Sequence, residues 1–212
     1  MIHIGAWHWG AKYPQLYIDR LRAGIARNLR ASHRVHFWEP LEKDRYLAER
    51  QGCFARLRAF DPEWQSANGI QIGDKIVVLD LDLIITGSLD ALFESDAAFT
   101  ILQGVNAANP CPYNGSLWML RAGYRSDVWA DFTLERARDL PYYIFPDDQC
   151  WLADRIPDAA AFGPENGVYG FQKPGWPGGN ELPKNARIVA FPGRRDPGQF
   201  VHLPWVRDHW RE

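Results

Sequence analysis

Short β-branched apolar runs alternate along this chain with stretches of helical spacing, an alternation that predicts an α/β protein. The strongest run, Ile76-Val77-Val78-Leu79, leads directly into Asp80-Leu81-Asp82. Four consecutive apolar residues predict a strand buried on both faces, the pattern of a parallel sheet. Residues 1–6 form a first apolar run. Leu16, Ile18, Leu21, Ile25 and Leu29 follow on one helical face, and 34–38 reads as a second strand. That is a β-α-β opening, which implies a right-handed parallel crossover.

Residues 54–60 carry the spacing of a short amphipathic helix, and 61–74, with Pro, Asn and Gly, reads as a loop. Ser88 is placed to cap a helix with Asp90 in its first turn. Further strands are expected over 98–102, 116–120 and 186–191, with a loop at 104–113 and helices over 122–138 and 150–155. Residues 162–183 are rich in Gly and Pro, the composition of a long surface loop. The tail from 200 to 212 is aromatic and basic. It reads either as a packed closing helix or as a segment lying on a membrane surface.

The 212 residues suffice for one domain with a full core, and no repeat or low-complexity tract divides them. A net charge of -2 without a Lys/Arg run argues against a nucleic-acid partner. Cys53, Cys111 and Cys150 lack metal-site or disulfide-frame spacing and fit thiols of a reducing compartment. With no leader-like start and no long apolar stretch, the expected location is the cytoplasm, with membrane contact at most peripheral.

Candidate chemistry concentrates after the central strand. Asp80 and Asp82 alternate at its C-terminal end, where open α/β sheets place ligands. Two carboxylates on one side of an extended chain repel unless a cation lies between them, and hard oxygen ligands suit Mg²⁺ or Mn²⁺. The plainer alternative makes both residues turn formers at a strand end.

With these pieces in place the chain resembles the GT-A-fold glycosyltransferases, in particular the glycogenin-like and lipopolysaccharide-galactosyltransferase-like group. The features are Val78-Leu79-Asp80-Leu81-Asp82 with Gly87-Ser88-Leu89-Asp90-Ala91-Leu92-Phe93, Tyr113-Asn114-Gly115-Ser116, Asp147-Asp148-Gln149-Cys150-Trp151-Leu152 and Ile188-Val189-Ala190-Phe191-Pro192-Gly193. The opening Trp9-Gly10-Ala11-Lys12-Tyr13 is similar to that of a small bacterial branch. The resemblance implies a single Rossmann-type α/β domain over 1–212, with a central, mostly parallel sheet flanked by helices. Residues 1–120 would bind the nucleotide-sugar, and 121–212 would form the acceptor side.

It further implies transfer of a hexose from a UDP-type donor to a glycan, lipid or protein acceptor, with retention. Asp80 and Asp82 would hold Mn²⁺ or Mg²⁺ against the diphosphate. Trp7, Trp9, Lys12, Tyr13, Arg56 and Leu81 would bind the nucleotide, and Asn114 and Gly115 the donor sugar. Asp148 and Gln149 would stand beside the anomeric carbon, with Gly193, Arg194 and Arg195 at the phosphates. Two departures accompany it. Residues 188–192 contain no His to serve as a third metal ligand, and Asp196 stands where the family has Lys.

Each residue also has a structural reading. Trp7 and Trp9 could pack on one sheet face, Asn114 could form a turn, and Asp148 could only cap a helix. Arg56 and Arg58 could share a solvated helix face. Two other functions compete: a non-catalytic nucleotide-sugar-binding domain, and a haloacid-dehalogenase-type phosphatase built on Asp80 and Asp82.

Overall fold

The structure is a computed structural model and describes residues 1–49, 52–105, 110–140 and 146–212. Strand β1 (Ile2–Trp7) leads through helix α1 (Gln15–Asn28) to β2 (His33–Trp38), as the opening pattern requires. Two short helices follow, α2 (Arg45–Ala48) and α3 (Pro62–Ala67), separated by a 3-10 segment at Phe54–Phe60. Then come β3 (Lys75–Leu79), β4 (Ile84–Ile85), β5 (Phe99–Gln103) and β6 (Tyr113–Arg121). Helices α4 (Asp127–Ala130), α5 (Leu134–Arg138) and α6 (Asp148–Arg155) precede β7 (Ala160–Phe162), β8 (Val168–Gly170) and β9 (Ile188–Ala190), and α7 (Pro204–His209) closes the chain.

Six strands form the main sheet in the order β2-β1-β3-β6-β5-β7. β1 runs parallel to β2 and β3, and β5 parallel to β7, whereas β6 is antiparallel to both β3 and β5. β6 therefore breaks an otherwise parallel sheet. It follows β5 without a crossover helix among the described residues, and such a short connection favours antiparallel pairing. β3 is buried on both faces as expected. Ile76 and Val78 enter a core with Trp38, Phe60 and Trp118, while Val77 and Leu79 enter a second core with Leu21, Ile25 and Phe93. Leu16 leaves the expected helix stripe and is exposed, while Ile18, Leu21 and Ile25 are buried.

A second sheet, β4-β9-β8, carries a third core rich in aromatic rings. The tail closes over it. Trp205 and Trp210 are buried there, and the Arg20 guanidinium lies 4.0 Å from the Trp210 ring centroid. The tail is thus the packed closing helix, and no helix of the described residues is long and apolar enough to cross a membrane.

Four local expectations change. Residues 61–74 contain a helix, α3, because Asp61 accepts from the Glu63 N–H and Pro62 occupies the first turn. The helix expected over 122–138 is two short helices, because Thr133 is extended and caps α5 through the Arg136 N–H. Ser88 caps no helix. Asp90 instead accepts from the backbone N–H groups of Arg30 and Ala31, tying down the end of α1, and only a 3-10 turn follows at Ala91–Phe93. Within 162–183 the chain returns to the second sheet as β8. The loop expected at 104–113 lies partly outside the described residues.

The segment Phe54–Phe60 departs furthest from its pattern. It is a 3-10 helix with every residue buried, including Arg56 and Arg58, so neither Arg lies on a solvated face. Arg58 is held by Asp44 and Asp61 and stacks 3.8 Å from the Trp129 ring centroid. Cys53, at φ 57, turns the chain into this segment through the left-handed region. Such a backbone costs energy for a residue with a Cβ and persists only where its surroundings hold it.

Candidate functional site

Arg56 is the hub of the constellation at the C-terminal end of β3. Its Nη1 donates to Asp80 Oδ1 at 2.6 Å and to the Gly115 carbonyl at 2.9 Å. Its Nε donates to Asp148 Oδ2 at 2.8 Å, and Nη2 lies 2.7 Å from the same oxygen. One guanidinium thus joins the residue after β3, the backbone of β6 and the first turn of α6.

Each partner is positioned by backbone chemistry. Asp80 N–H donates to the Ser116 carbonyl, extending the ladder one residue past β3. Asp147, not Asp148, is the N-cap of α6 and accepts from Cys150 N–H at 2.9 Å. This removes the capping explanation for Asp148, whose backbone N–H instead donates to the Gly52 carbonyl. Gln149 Oε1 accepts from Gly115 N–H at 3.0 Å. Asn114 lies within β6, where its Oδ1 accepts from Ser116 N–H. A side chain at position 115 would have to move the hub: a Cβ there would fall on Arg56 Nη2 and come within 3.4 Å of Asp148 Oδ1.

Asp82 belongs to a second chain of contacts. Tyr13 Oη donates to Asp82 Oδ2 at 2.5 Å, and Lys12 Nζ donates to Tyr13 Oη at 2.5 Å. Burial, aided by the neighbouring Asp80 charge, pushes Asp82 up to about 7. Burial likewise pushes Asp148 up to about 7, against the pull of Arg56. With every carboxylate ionised, the cluster would hold more negative than positive charge, because one guanidinium is shared by two carboxylates while Asp82 lies beside Asp80.

The surplus is what a divalent cation would balance, and carboxylate oxygens are the donors that Mg²⁺ and Mn²⁺ prefer. Asp80 and Asp82 fit that role as a pair, while no group of three or more His, Cys, Asp or Glu with ligand geometry occurs among the described residues.

The nucleotide candidates divide. Trp7 is 5% exposed, stacked on Trp64 at 5.4 Å and tilted against Trp38 at 6.0 Å, so its ring belongs to the core and offers no stacking face. Trp9 and Tyr13 are partly exposed and keep that possibility. The Leu81 side chain is buried in the second core, which leaves only its backbone for a ligand.

Gly193, Arg194 and Arg195 follow β9, and neither arginine forms an ion pair among the described residues. Their loop is anchored by Asp196, which accepts from Tyr17 Oη at 2.7 Å, and the Tyr17 ring lies 5.2 Å from that of Tyr13. Asp196 also caps the 3-10 turn that follows and bears electrostatically on Asp82. The Tyr13–Asp82 and Tyr17–Asp196 bonds join residues 69 and 179 positions apart, so no local spacing could reveal them.

A cavity of about 360 Å³ lies elsewhere, between the Ala91–Phe93 turn and the edge strand β7, and none of the candidate residues lines it.

No family model matches the chain, and no curated protein matches it by sequence. Solved structures do share its fold. The galactosyltransferase LgtC, solved with donor and acceptor sugar analogs, superposes with a TM-score of 0.56 at 11% identity, covering 99% of this chain and 96% of that one. A glycosyltransferase involved in glycosylation of the major capsid of PBCV-1 gives 0.58 at 16% identity, over 95% and 97%. The glycosyltransferase GlyE of Streptococcus pneumoniae gives 0.61 at 14% identity, over 98% of this chain and 63% of that one. The chain therefore has the GT-A-like fold of these glycosyltransferases, resembling the lipopolysaccharide galactosyltransferases.

Proposed function

We propose that the protein is a metal-dependent glycosyltransferase that moves a hexose from a nucleotide-sugar, a UDP-sugar, to a glycan, lipid or protein acceptor. The observation that carries this reading is the Arg56 bridge. It joins a carboxylate at the end of the central strand to a buried carboxylate at the start of α6, with Asp82 alongside. Fold alone does not establish an activity, so the weight rests on that constellation.

Asp80 and Asp82 would hold Mn²⁺ or Mg²⁺, whose chemistry there is to offset charge on a departing nucleoside diphosphate. Arg56 fixes the Asp148 carboxylate by two contacts and leaves Oδ1 outside the pair, an oxygen able to stabilise positive charge developing at an anomeric carbon. Gln149, held by the Gly115 N–H, would line the same sugar side with Asn114. Trp9 or Tyr13 would take the base, with Lys12 nearby, and Arg194 and Arg195 would bind phosphate through their planar forks. Retention of configuration and a cytoplasmic location belong to this reading, as does a donor half over 1–120 facing an acceptor half over 121–212.

A non-catalytic nucleotide-sugar-binding domain is the second reading. It is favoured by the lack of a His within residues 188–192, where Phe191 and Pro192 follow β9, and by Asp196 in place of a basic residue.

A thermal-shift titration with UDP and UDP-sugars in Mn²⁺, Mg²⁺ or EDTA tests the donor site, because a ligand specific to the native state raises Tm. The expected result is a metal-dependent shift that disappears in Asp80→Asn and Asp82→Asn while both variants keep their unliganded Tm within a few degrees. No shift with any nucleotide would refute the proposal. Binding without turnover of any UDP-sugar would favour the second reading.

A further inference from the structure

The cavity beside β7 has a chemistry of its own. Its volume of about 360 Å³ falls within the range of small-molecule sites. Five of the ten residues that line it are polar, namely Ser95, Thr100, Glu165, Asn166 and Arg187, so its occupant must be hydrophilic. Ala91, Leu92 and Phe162 supply an apolar side. Thr100 pairs with Met119, and Met119 with Val77, so Thr100 stands two strands away from β3 and three residues short of Asp80. At the usual strand rise and spacing the two residues are about 14 Å apart. The cavity is thus separate from the carboxylate constellation.

Its polar groups are held in place. Arg187 Nη1 donates to the Ser88 carbonyl at 2.6 Å, and the stem runs so close to Gly167 that a Cβ there would lie 3.0 Å from Arg187 Cγ. Among the described residues this guanidinium pairs with no carboxylate, Glu165 included. Glu165 and Asn166 are exposed on a 3-10 turn, Pro164–Asn166, that is pinned at both ends. Asn166 N–H donates to the Gly163 carbonyl at 3.0 Å, and Asn185 Nδ2 donates to the Pro164 carbonyl at 2.9 Å. Thr100 is 3% exposed, and its hydroxyl is buried without a hydrogen-bond partner. Buried hydroxyls are normally paired, so this wall carries a donor and acceptor that the protein itself leaves unused. The staggered wells of χ1 let that hydroxyl turn to a partner in the cavity.

We propose that this cavity is a saccharide site that takes one sugar ring through its vicinal hydroxyls. Glu165, Asn166 and Arg187 are planar groups with two polar atoms side by side, a shape that can grip adjacent hydroxyls in pairs. Arg187 only donates, Glu165 only accepts and Asn166 does both, so hydroxyls, which also do both, can satisfy all three. Unpaired charges of opposite sign act against a simple anion, which Glu165 repels, and against a simple cation, which Arg187 repels. Ala91, Leu92 and Phe162 would meet the C–H face of the ring. The inference shares no residue with the donor assignments and stands independently of them.

The test follows backbone amides of the isotope-labelled full chain by NMR during titration with the methyl glycosides of glucose, galactose, mannose and N-acetylglucosamine, and separately with inorganic phosphate. At least one glycoside should give saturable shifts at Thr100, Ala161, Asn166 and Arg187. Thr100→Val swaps the hydroxyl for a methyl of the same shape. It should leave the unliganded Tm unchanged or higher and weaken the glycoside about fivefold, the weight of one neutral hydrogen bond. Arg187→Met should weaken it at least about tenfold, since a charged donor is lost. Glu165→Gln, on the exposed rim, should weaken it about threefold, whereas an anion would bind this variant more tightly. No saturable shift at these amides with any of the glycosides would overturn the inference. So would phosphate binding there that tightens in Glu165→Gln, or glycoside affinity unaltered in both Thr100→Val and Glu165→Gln. Glycoside shifts confined to the residues around Asp80 would overturn it too, while leaving the donor site to the UDP titration.

Discussion

Replacing Arg56 by Met tests whether the constellation depends on one buried guanidinium. The side chain is 7% exposed and serves Asp148, whose side chain is 3% exposed, and Asp80, at 33%. Removing one partner of a buried ion pair costs about 3–5 kcal/mol, since the other charge is left bare. Asp80 adds little, because a carboxylate one-third exposed can turn to water. Asp148 has a partial escape: burial already pushes it up to about 7, and without Arg56 it rises further and takes up a proton.

The low end of that range, about 3 kcal/mol, is therefore the expected loss at pH 7.5, which lowers Tm by about 6–12 °C in a chain of this size. Differential scanning calorimetry of wild type and Arg56→Met at pH 7.5 and 5.5 measures it. In the variant, the folded state binds a proton that the unfolded chain, with its ordinary carboxylate, does not bind until lower pH. Its deficit should therefore shrink on acidification. The double variant Arg56→Met with Asp148→Asn, which buries no bare charge, should recover most of the loss at pH 7.5. A single variant within about 2 °C of wild type, or a double variant no better than the single, would refute the reasoning.

Asp148→Asn should keep the UDP-induced thermal shift and lose sugar transfer by at least about a hundredfold, the usual scale for a group stabilising charge in the transition state. Near-normal turnover would remove Asp148 from the chemistry. Gly115→Ala should lower both turnover and Tm, because the added Cβ must push Arg56 away from Asp148. An unchanged Tm would mean that the hub can shift without penalty. On the edge strand β2, His36 stacks on Trp38 and shares a 3.0 Å contact with His3, and burial lowers His36 to about 4. The unfolded chain takes up that proton near 6.5, so this pair withdraws stability as pH falls from about 6.5 to 4. Asp82 and Asp148 act in the opposite sense between about 7 and 4, so His36→Gln should raise relative stability at pH 5. An unaltered acid limb in the Tm profile would discount the histidine pair.

The elements legible in the sequence are those whose partners lie within a few residues or whose burial leaves a periodic trace. β3 declared itself because both faces are covered, which forces an unbroken apolar run. α1 did so through its stripe. The segment Phe54–Phe60 did not, because its two arginines look like a wet face in one dimension. They are buried because Asp44, Asp80 and Asp148 arrive from elsewhere to pair with them, joined by Asp61 three residues after Arg58. The candidate site divides in the same way. Asp80, Asp82, Asp148 and Gly115 were marked by motif, whereas the committed ring of Trp7 and the hydrogen bond of Tyr13 to Asp82 depend on tertiary neighbours that no local spacing encodes.

The two departures at the end of the chain bear on how the site would load. Asp80, Asp147 and Asp148 face Arg56, while Asp82 lies beside Asp80 and is bridged to Lys12 by Tyr13. Asp196, bonded to Tyr17, adds negative charge where the resemblance leads one to expect a basic residue. In the proposed reading a diphosphate approaching alone would meet carboxylates, with Arg194 and Arg195 to receive it. A cation approaching alone would find Asp80 committed to Arg56, Asp82 committed to Tyr13, and no His within residues 188–192. In the proposed reading each ligand corrects the charge imbalance that opposes the other, so the two should load as a unit, with weak binding of either alone. Loading of this kind needs no third protein ligand, because phosphate oxygens fill coordination positions that Mg²⁺ commonly takes from substrate.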